Sequence, residues 1–505
     1  MVGSPSRWEH RPAASRLLCS AATKRAVSPP IGAGTRTTAP SRKADRRKVE
    51  PMNAPFTPTP SLIDVARRMV PRYTSYPTAP HFSPAVTAET YGGWLEKVRD
   101  RGEAISLYLH VPFCRTICNY CGCTTKAALR DDPVRAYAAA IHDEIALLAE
   151  RLGPVEVSHI HWGGGTPSIL PPDCFDALVR DLSNRFRFRP DMEHAIELDP
   201  RHVTAEGARR LAGLGINRTS LGVQTLDVAV QKAIARIQPL GVVEASFAYM
   251  REAGITAINA DLMYGLPLQT LDTIHDTAER VLGLQPSRFA IFGYAHLPWM
   301  KRHQRLIDEA ALPDAAERIR QAGLAREILE RGGYVEIGID HFALPHDALT
   351  RAQEERRLHR NFQGYTDDAA TTLIGIGASS ISRTPWGFAQ NAPDNHSWRR
   401  AIESGQLPTV RGKAYEGDDL LRAAVIEDLL CTFGVDLAEV AIRHGASVDS
   451  FGEDLRRLAP LVNAGWVELR GSRVAVRRHR HEIARVVAAE FDAYLGRGGR
   501  HSTAV

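Results

Sequence analysis

Short apolar runs alternate with amphipathic stretches along most of the chain after about residue 103. The apolar runs are bounded by turn residues and predict strands at 105–113, 155–162, 194–199, 217–223, 256–263, 288–294 and 333–339, with 373–382 as a further strand. The amphipathic stretches predict helices at 132–151, 172–186, 204–213, 225–235, 241–253, 270–284 and 312–331. Repeated βα units predict a parallel sheet covered by helices, in either a closed barrel or an open sheet.

The N-terminal part of the chain departs from this alternation. Residues 1–51 have no apolar period and are predicted to be disordered. They are either an organellar transit peptide or an extension upstream of a true start at Met52. Residues 52–102 form an arm, which contains the tyrosine- and proline-rich run 71–78 and ends in a predicted helix at 88–101. We expect this run to be ordered on the surface of the sheet domain, although a plain connector has a similar composition.

The sheet domain is predicted to span 103–385, where the alternation stops, and 386–505 to form a mainly helical C-terminal domain. Helices at 415–445, 450–464 and 480–495 surround a hairpin within 466–476, a winged-helix-like arrangement. Arginines near the hairpin leave nucleic-acid binding open as a function of this domain. Because the domain is small and follows one with catalytic features, we expect a lid or docking role and no nucleic-acid partner.

Charge and composition exclude several classes of protein. Residues 1–50 carry 11 basic and 3 acidic residues, whereas the remaining 455 carry 52 basic and 55 acidic residues, a net charge of −3. The sequence pI of 8.8 is therefore no sign of nucleic-acid binding. No apolar run approaches the ~18 residues of a membrane span. Because the seven cysteines are sparse and clustered, we expect a reducing, cytoplasmic location, and without a coiled-coil seam we expect a monomer.

Four cysteines lie on ten residues that follow the first predicted strand: Cys114, Cys118, Cys121 and Cys123. The carboxyl ends of strands carry the sites of α/β folds, so this loop is a candidate metal site. The spacing C-x3-C-x2-C on one loop favours an iron–sulfur cluster, since structural zinc usually takes two separated pairs. Three ligands on four irons would leave one iron open to a small molecule. Zinc, a redox role and a structural role remain alternatives.

Polar or glycine residues stand at the ends of the next strands. The run 162–167, Trp-Gly-Gly-Gly-Thr-Pro, allows the backbone to approach a small polar ligand, although a tight strand–helix turn has the same composition. Glu197, Gln224, Arg236 and Asp261 follow or interrupt apolar runs, where a structural strand would continue apolar. Each of these residues alone is also typical of a structural polar group whose hydrogen bonds are satisfied within the fold. Their recurrence at one sheet edge, however, favours a binding site.

The cysteine loop with its aromatic Tyr120, the triple glycine and the polar strand ends together resemble the radical S-adenosylmethionine enzymes. Longer runs at 71–78, 108–114, 261–267, 294–298, 340–343 and 360–366 are similar, in the same order, to the oxygen-independent coproporphyrinogen III oxidase family. The resemblance covers roughly residues 65–495. It implies a partial (β/α)6 barrel with a [4Fe–4S] cluster on Cys114, Cys118 and Cys121, and with S-adenosylmethionine on the open iron.

The resemblance also implies the roles of individual residues. The S-adenosylmethionine contacts would be Tyr108, Tyr120, Gly164, Gly165, Thr166, Glu197, Gln224, Arg236, Asp261, Ala295 and Ile381. Cys123 matches an extra cysteine of the family that is not a cluster ligand, and Phe362 and Gln363 match residues near the active site. The implied reaction is the oxidative decarboxylation of two propionates of coproporphyrinogen III to vinyl groups, with an electron donor and a terminal acceptor that the sequence does not identify. By charge and motif, Arg72 and Arg360 are candidate partners of the substrate carboxylates.

Two other functions are compatible with the cluster loop. Haem-binding chaperones related to this family share the loop and barrel but generally lack the fourth cysteine and the tyrosine-rich arm. This chain has both Cys123 and the run 72–76, which favours the oxidase. A plain iron–sulfur electron carrier is the second alternative, and three-cysteine ligation argues against it.

Overall fold

The computed structural model describes residues 59–496. The predicted properties of residues 1–51 therefore lie outside the described residues. Sixteen α-helices occur in the described part: α1 Pro60–Ala66, α2 Ala88–Arg101, α3 Asp132–Leu152, α4 Pro172–Arg185, α5 Ala205–Gly213, α6 Val228–Ala233, α7 Leu240–Glu252, α8 Leu271–Gly283, α9 Ala315–Arg331, α10 Ala348–Glu354, α11 Asn395–Glu403, α12 Asp419–Thr432, α13 Leu437–Arg443, α14 Gly452–Arg457, α15 Ala459–Asn463 and α16 Arg480–Ala489. Within this part no helix is long and apolar enough to cross a bilayer.

The strands of the described part form one large sheet and three small ones. They are β1 Ile105–Val111, β2 Phe113–Cys114, β3 Lys126–Ala127, β4 Glu156–Gly164, β5 Arg187–Leu198, β6 Arg218–Gln224, β7 Ala257–Tyr264, β8 Arg288–Gly293, β9 Val335–Ile337, β10 His341–Ala343, β11 His359–Asn361, β12 Gly364–Thr366, β13 Leu373–Ile376, β14 Ile381–Thr384, β15 Gly387–Asn391, β16 Thr409–Ala414, β17 Gly434–Asp436, β18 Val467–Arg470 and β19 Arg473–Val476. The large sheet has the order β16-β15-β14-β13-β1-β4-β5-β6-β7-β8-β10-β9.

Six consecutive βα strands, β1 and β4 to β8, are parallel neighbours, which confirms the predicted partial (β/α)6 core. β13 adds a seventh parallel strand beside β1. The sheet is open, since β16 and β9 end its two edges and do not pair with each other. Trp162 and Ile196 of the central strands are fully buried under the covering helices. Because every strand of the core runs the same way, all six carboxyl ends meet on one side.

Two details of the predicted sheet are wrong. The run 333–339 was expected to be one more βα strand, but β9 is a short antiparallel partner of β10. The alternation was expected to stop near residue 385, but β15 and β16 extend the sheet to Ala414 in an antiparallel meander. Neither strand alternates apolar and polar residues, because β15 is buried on both faces and β16 mixes small and charged residues.

The C-terminal region contains the predicted hairpin and a helix within 480–495, but the helices predicted at 415–445 and 450–464 are each divided in two, into α12 and α13 and into α14 and α15. The hairpin β18–β19 gains a third strand, β17, which the sequence pattern did not reveal. Helices α12, α13 and α16 pack with these strands around a separate apolar core that includes Leu429 and Val487.

The arm is ordered, as expected, and packs against this C-terminal core. Tyr73 and Tyr76 are 4% and 5% exposed and belong to the same apolar cluster. The Tyr73 hydroxyl donates to Asp492 at 3.0 Å, and the Tyr76 hydroxyl accepts from the amide of Ala493 at 2.9 Å. The preceding residue, Arg72, donates to the carbonyl of Gly293 at the end of β8, at 3.2 Å. The arm thus connects the C-terminal region to the carboxyl end of the sheet.

Candidate active site

A cavity of about 640 Å³ lies at the carboxyl ends of the parallel strands, and all four loop cysteines line it. Cys118 is 6% exposed, whereas Cys123 is exposed to the cavity and its opening. β1 and the short pair β2–β3 deliver the loop to this position, because β2 runs directly into Cys114. The four thiols are free rather than joined in disulfides.

Cys118 lies beside two arginines that share one buried carboxylate. Arg236 Nη1 lies 3.5 Å and Arg201 Nη2 3.8 Å from Cys118 Sγ. The same guanidinium groups bind Asp199 at 3.1 and 2.6 Å. Burial raises the pKa of Asp199, but the hydrogen bond from Arg201 and the charge of Arg236 outweigh it and lower the pKa to about 2. Two guanidinium groups and one carboxylate thus fix the surroundings of the Cys118 sulfur at the cavity wall.

The outer side of the cysteine loop is held by a segment that follows β8. Lys301 Nζ, His303 Nε2 and Gln304 Nε2 donate to the main-chain carbonyls of Cys123, Cys121 and Tyr120, at 2.9, 2.7 and 2.9 Å. Three hydrogen bonds to consecutive parts of one loop fix its path, although they do not touch the sulfur atoms. These three residues were not predicted, because the segment 294–314 is irregular and gives no periodic signal.

The glycine turn after β4 is required by close packing. Gly164 has φ +108°, and a Cβ at this position would lie 2.5 Å from Cε1 of His110. A Cβ on Gly165 would overlap the carbonyl oxygen of Phe113. The amide of Gly164 donates to Glu197 Oε2 at 3.1 Å, so the turn and the acidic strand end form one unit. Backbone therefore forms part of the cavity wall, where a side chain would fill the space.

Two carboxylates, on strands that flank β6, face the same cavity. Glu197 of β5 pairs with His161 at 3.2 Å. Asp261 of β7 accepts hydrogen bonds from Ser220 at 2.8 Å and from Asn259 at 2.7 Å. Burial raises the pKa of Asp261 to about 6, despite the hydrogen bond from Ser220. These groups can accept hydrogen bonds from the amino or hydroxyl groups of a bound ligand.

Nine of the eleven residues that the family resemblance assigned to S-adenosylmethionine line this cavity: Tyr120, Gly164, Gly165, Thr166, Glu197, Gln224, Arg236, Asp261 and Ala295. Tyr108 and Ile381 are not among the lining residues. The Tyr108 hydroxyl lies 3.0 Å from His110 Nδ1, and its ring stacks on His161. Ile381 lies in β14, beyond β13 in the sheet.

Phe362 and Gln363, which were expected near the active site, do not line the cysteine cavity but two other cavities. Gln363 lines a cavity of about 170 Å³ that shares Glu197 and Asp261 with the cysteine cavity. Phe362 lies in a third cavity, where its ring makes an edge contact with Phe388 at 6.2 Å. The structure thus brings Gln363 close to the predicted site but separates Phe362 from it.

The residues present fit a cluster and a polar ligand. Within residues 59–496, no three His, Cys, Asp or Glu side chains converge as tightly as a single metal ion requires. Three thiols instead share one wall, and beside them Arg236 Nε is buried with no hydrogen-bond partner. Soft thiolates are the ligands of iron–sulfur clusters, and the glycine wall leaves room for a ligand next to them.

Comparison with known proteins identifies the fold. The Radical SAM superfamily model matches residues 108–281, and the HemN C-terminal domain model matches residues 415–479. The fold is therefore that of the radical SAM enzymes, which use a [4Fe–4S] cluster and S-adenosylmethionine.

Curated relatives narrow this class to one family. The oxygen-independent coproporphyrinogen III oxidase of Bradyrhizobium diazoefficiens is 46% identical over 88% of this chain and 99% of its own length. That of Paracoccus denitrificans is 42% identical over 86% and 96%. The solved structure of coproporphyrinogen III oxidase (HemN) from Escherichia coli, described as a radical SAM enzyme, superposes with a TM-score of 0.81 at 36% identity, over 84% of this chain and 98% of that one. The chain belongs to the oxygen-independent coproporphyrinogen III oxidase family.

Proposed function

We propose that this chain converts coproporphyrinogen III to protoporphyrinogen IX by oxidative decarboxylation of two propionate side chains without oxygen. Family membership over nearly the whole length of its relatives supports the substrate and the reaction. The single observation that carries the proposal is the cysteine cavity: Cys114, Cys118 and Cys121 share it with the glycine turn and Glu197. An electron carrier needs no such space beside its cluster.

Cys114, Cys118 and Cys121 would hold the cluster, and its chemistry explains why they line an open cavity. When bound, the reduced cluster and S-adenosylmethionine supply a 5′-deoxyadenosyl radical that removes a hydrogen atom from a propionate side chain. The protein must exclude water and competing donors from that radical. Arg236 and Arg201 donate to Cys118 Sγ, and Thr166 and Thr125 lie 3.4 and 3.5 Å from Cys114 Sγ.

The eleven residues with an assigned S-adenosylmethionine contact remain our proposal for that site. Glu197 and Asp261 provide acceptors, Arg236 provides a donor, and the glycine turn provides a wall without side chains. Tyr108 is proposed to act on the S-adenosylmethionine site through His110, because the Tyr108 hydroxyl is hydrogen-bonded to His110 Nδ1.

Cys123, Phe362 and Gln363 are proposed to act on the substrate rather than on the cluster. The thiol of Cys123 hydrogen-bonds to Cys121 and, despite burial, lowers the pKa of Cys121 to about 6. A thiol that donates to a neighbouring sulfur supports that sulfur as a ligand without being one itself. Gln363 reaches the substrate side through the cavity that it shares with Glu197 and Asp261.

Several features remain proposals from the sequence: a monomer in the cytoplasm, no nucleic-acid partner, and an electron donor and a terminal acceptor that are still to be identified. For the domain division we propose an arm up to residue 102 and a C-terminal domain beginning near 415. The continuation of the sheet through β16 and the family match at 415–479 support this later boundary over 385.

The test is anaerobic reconstitution with iron and sulfide, followed by S-adenosylmethionine, a reductant and coproporphyrinogen III. We expect methionine release, loss of carbon dioxide and formation of vinyl groups. Methionine release without any vinyl product would count against the oxidase. Haem binding without turnover would instead support the chaperone.

A further inference from the structure

A second, smaller cavity of about 80 Å³ opens beside the cysteine cavity and is lined by arginines. We call Arg72, Arg318, Arg360 and Arg485 the arginine chamber. They come from the arm, α9, β11 and α16, which are far apart in the chain. The two cavities share five lining residues: Arg72, Phe292, Gly293, Tyr294 and Ala295. A molecule in the large cavity can therefore extend a side arm into the chamber.

Main-chain carbonyls orient two of these guanidinium groups. Arg72 Nη2 donates to the Gly293 carbonyl at 3.2 Å, and Arg318 Nη2 donates to the Tyr294 carbonyl at 2.8 Å. A Cβ on Gly265 would overlap the Arg318 guanidinium, so the glycine makes room for it. Backbone carbonyls thus fix both cations at the cavity, where the nearby charge of Asp340 acts on Arg72.

Arg360 is 9% exposed, and one face of it is held in place. Its Nη2 lies 3.5 Å from Asp340 Oδ2, and its guanidinium lies over the ring of Tyr365. Its Nε and Nη1 are buried with no hydrogen-bond partner in the described structure. A buried donor of a charged group costs free energy when it makes no hydrogen bond. This indicates that a ligand accepts hydrogen bonds from Nε and Nη1 of Arg360.

Among the described residues that line this cavity, Asp340 is the one carboxylate, against Arg72, Arg318 and Arg360. Two further cations of the lining, Arg326 and His481, lie 3.1 and 2.9 Å from Glu336, which compensates them. Burial lowers the pKa of Arg485 to about 10, and the charge of Arg72 adds to this effect. Crowded cations of this kind favour an anion that enters from outside.

The size of the chamber selects the anion. A water-sized probe needs about 10–15 Å³, so the chamber holds a few non-hydrogen atoms. That is enough for a carboxylate on a short alkyl arm, whereas a tetrapyrrole ring needs the larger cavity. Arginine is also the side chain that pairs with carboxylates through two parallel hydrogen bonds.

We propose that the arginine chamber binds the carboxylate of a propionate that the enzyme does not decarboxylate. The proposal rests on the proposed function and adds the group that orients the substrate. Loss of carbon dioxide removes the negative charge of the reacting carboxylate. A guanidinium cluster stabilises that charge in the ground state and so raises the barrier at any propionate that it holds. The chamber therefore suits a retained propionate. When the arginines bind this propionate, the substrate is oriented with a reacting propionate towards the cysteine wall.

The test measures binding of two fluorescent porphyrins to the full-length chain, with no turnover. Coproporphyrin III carries all four propionates, and protoporphyrin IX carries only the two that the reaction retains. We expect Arg72→Met and Arg318→Met to weaken binding of both porphyrins by roughly 10- to 100-fold, the range for a lost charged hydrogen bond. Arg72→Lys should restore part of the affinity, because lysine keeps the positive charge but cannot form two parallel hydrogen bonds to a carboxylate. In turnover, KM should rise and kcat at saturation should also fall, because the contact that orients the reacting propionate is lost.

Arg67→Met is the matched control, since Arg67 is an exposed arginine of the same arm that lines neither cavity. It should bind both porphyrins like the wild type. Unchanged affinities in Arg72→Met and Arg318→Met would overturn the chamber as a binding site. Weakened coproporphyrin III with unaffected protoporphyrin IX would overturn the assignment to a retained propionate. A wild type that binds in this arginine-dependent way but forms no vinyl product would refute the proposed function instead.

Discussion

Replacing Gly164 by alanine tests whether the glycine turn is a packed wall of the site. The substitution adds one methyl group at a position with φ +108°, where the new Cβ would lie 2.5 Å from Cε1 and 2.6 Å from Nδ1 of His110. The imidazole cannot simply rotate away. Its Nε2 donates to the Thr124 carbonyl at 3.0 Å, which leaves Nδ1 to accept from the Tyr108 hydroxyl at 3.0 Å.

Two costs add up to the expected effect. A residue with a side chain at positive φ costs roughly 1–2 kcal/mol, and overpacking of a filled site costs roughly 1–3 kcal/mol. Alanine also restricts the unfolded chain, which offsets about 0.5–1 kcal/mol. We therefore expect Gly164→Ala to lower the free energy of unfolding by about 1–4.5 kcal/mol. The shift should appear in the midpoint of urea unfolding, followed by circular dichroism.

Gly93→Ala provides the matched control for this prediction. Gly93 lies inside helix α2, and a Cβ there meets nothing within 4 Å. The same chemical change should stabilise the protein by about 0.5–1 kcal/mol, because alanine is the better helix former. If Gly164→Ala were as stable as Gly93→Ala, the turn would have room for a side chain, and our argument that backbone forms the ligand wall would be wrong.

Further predictions concern the cysteine loop and its surroundings. Cys118→Ser should abolish the visible absorbance of the cluster and all cleavage of S-adenosylmethionine, whereas Cys123→Ser should keep the cluster; the opposite pattern would reverse their assigned roles. Asp199→Asn should destabilise the protein by about 3 kcal/mol, as measured in urea, because Arg236 would be left as a buried cation without its partner. The folded pKa of Asp199, about 2, lies below the unfolded value of about 3.8. Its charge therefore contributes about 2 kcal/mol at neutral pH, which is lost as the pH falls from about 4 through 2; a variant with unchanged acid unfolding would contradict this. Deletion of residues 1–51 should leave the specific activity intact, and a loss would show that the extension belongs to the working enzyme.

Local patterns predicted most of the sheet and one wall of the site. The helix at 88–101 was predicted to the residue, since Thr87 caps its start and Gly102, at φ +65°, ends it. The polar strand ends converge because the strands are parallel and neighbouring, which periodicity alone implies. The strands β15 and β16, at one end of the sheet, were missed, because mixed short segments acquire strand character only when a neighbouring strand pairs with them.

The cations of the site were harder to predict than its thiols. Arg318 and Arg485 lie on amphipathic helices, where a charged residue normally indicates a solvated face. In the folded protein the arm and the C-terminal region cover those faces, so the side chains line a cavity instead. Arg201 is two residues beyond the predicted strand end, and only its proximity to Asp199 and Cys118 reveals its importance. Such roles depend on tertiary contacts that no local pattern encodes.

The positions of the arginines divide the proposed active site into two electrostatic regions. Near the cysteines, Arg201 and Arg236 share Asp199, so the excess of positive charge at this wall is small. In the smaller cavity the excess is larger, because Arg72, Arg318 and Arg360 are set against Asp340 as the one carboxylate among the described lining residues. A substrate with several propionates is therefore expected to place one of them in the chamber first. The propionate nearest the cysteine wall then meets a smaller excess of positive charge, so its carboxylate loses its charge more easily than one held in the chamber.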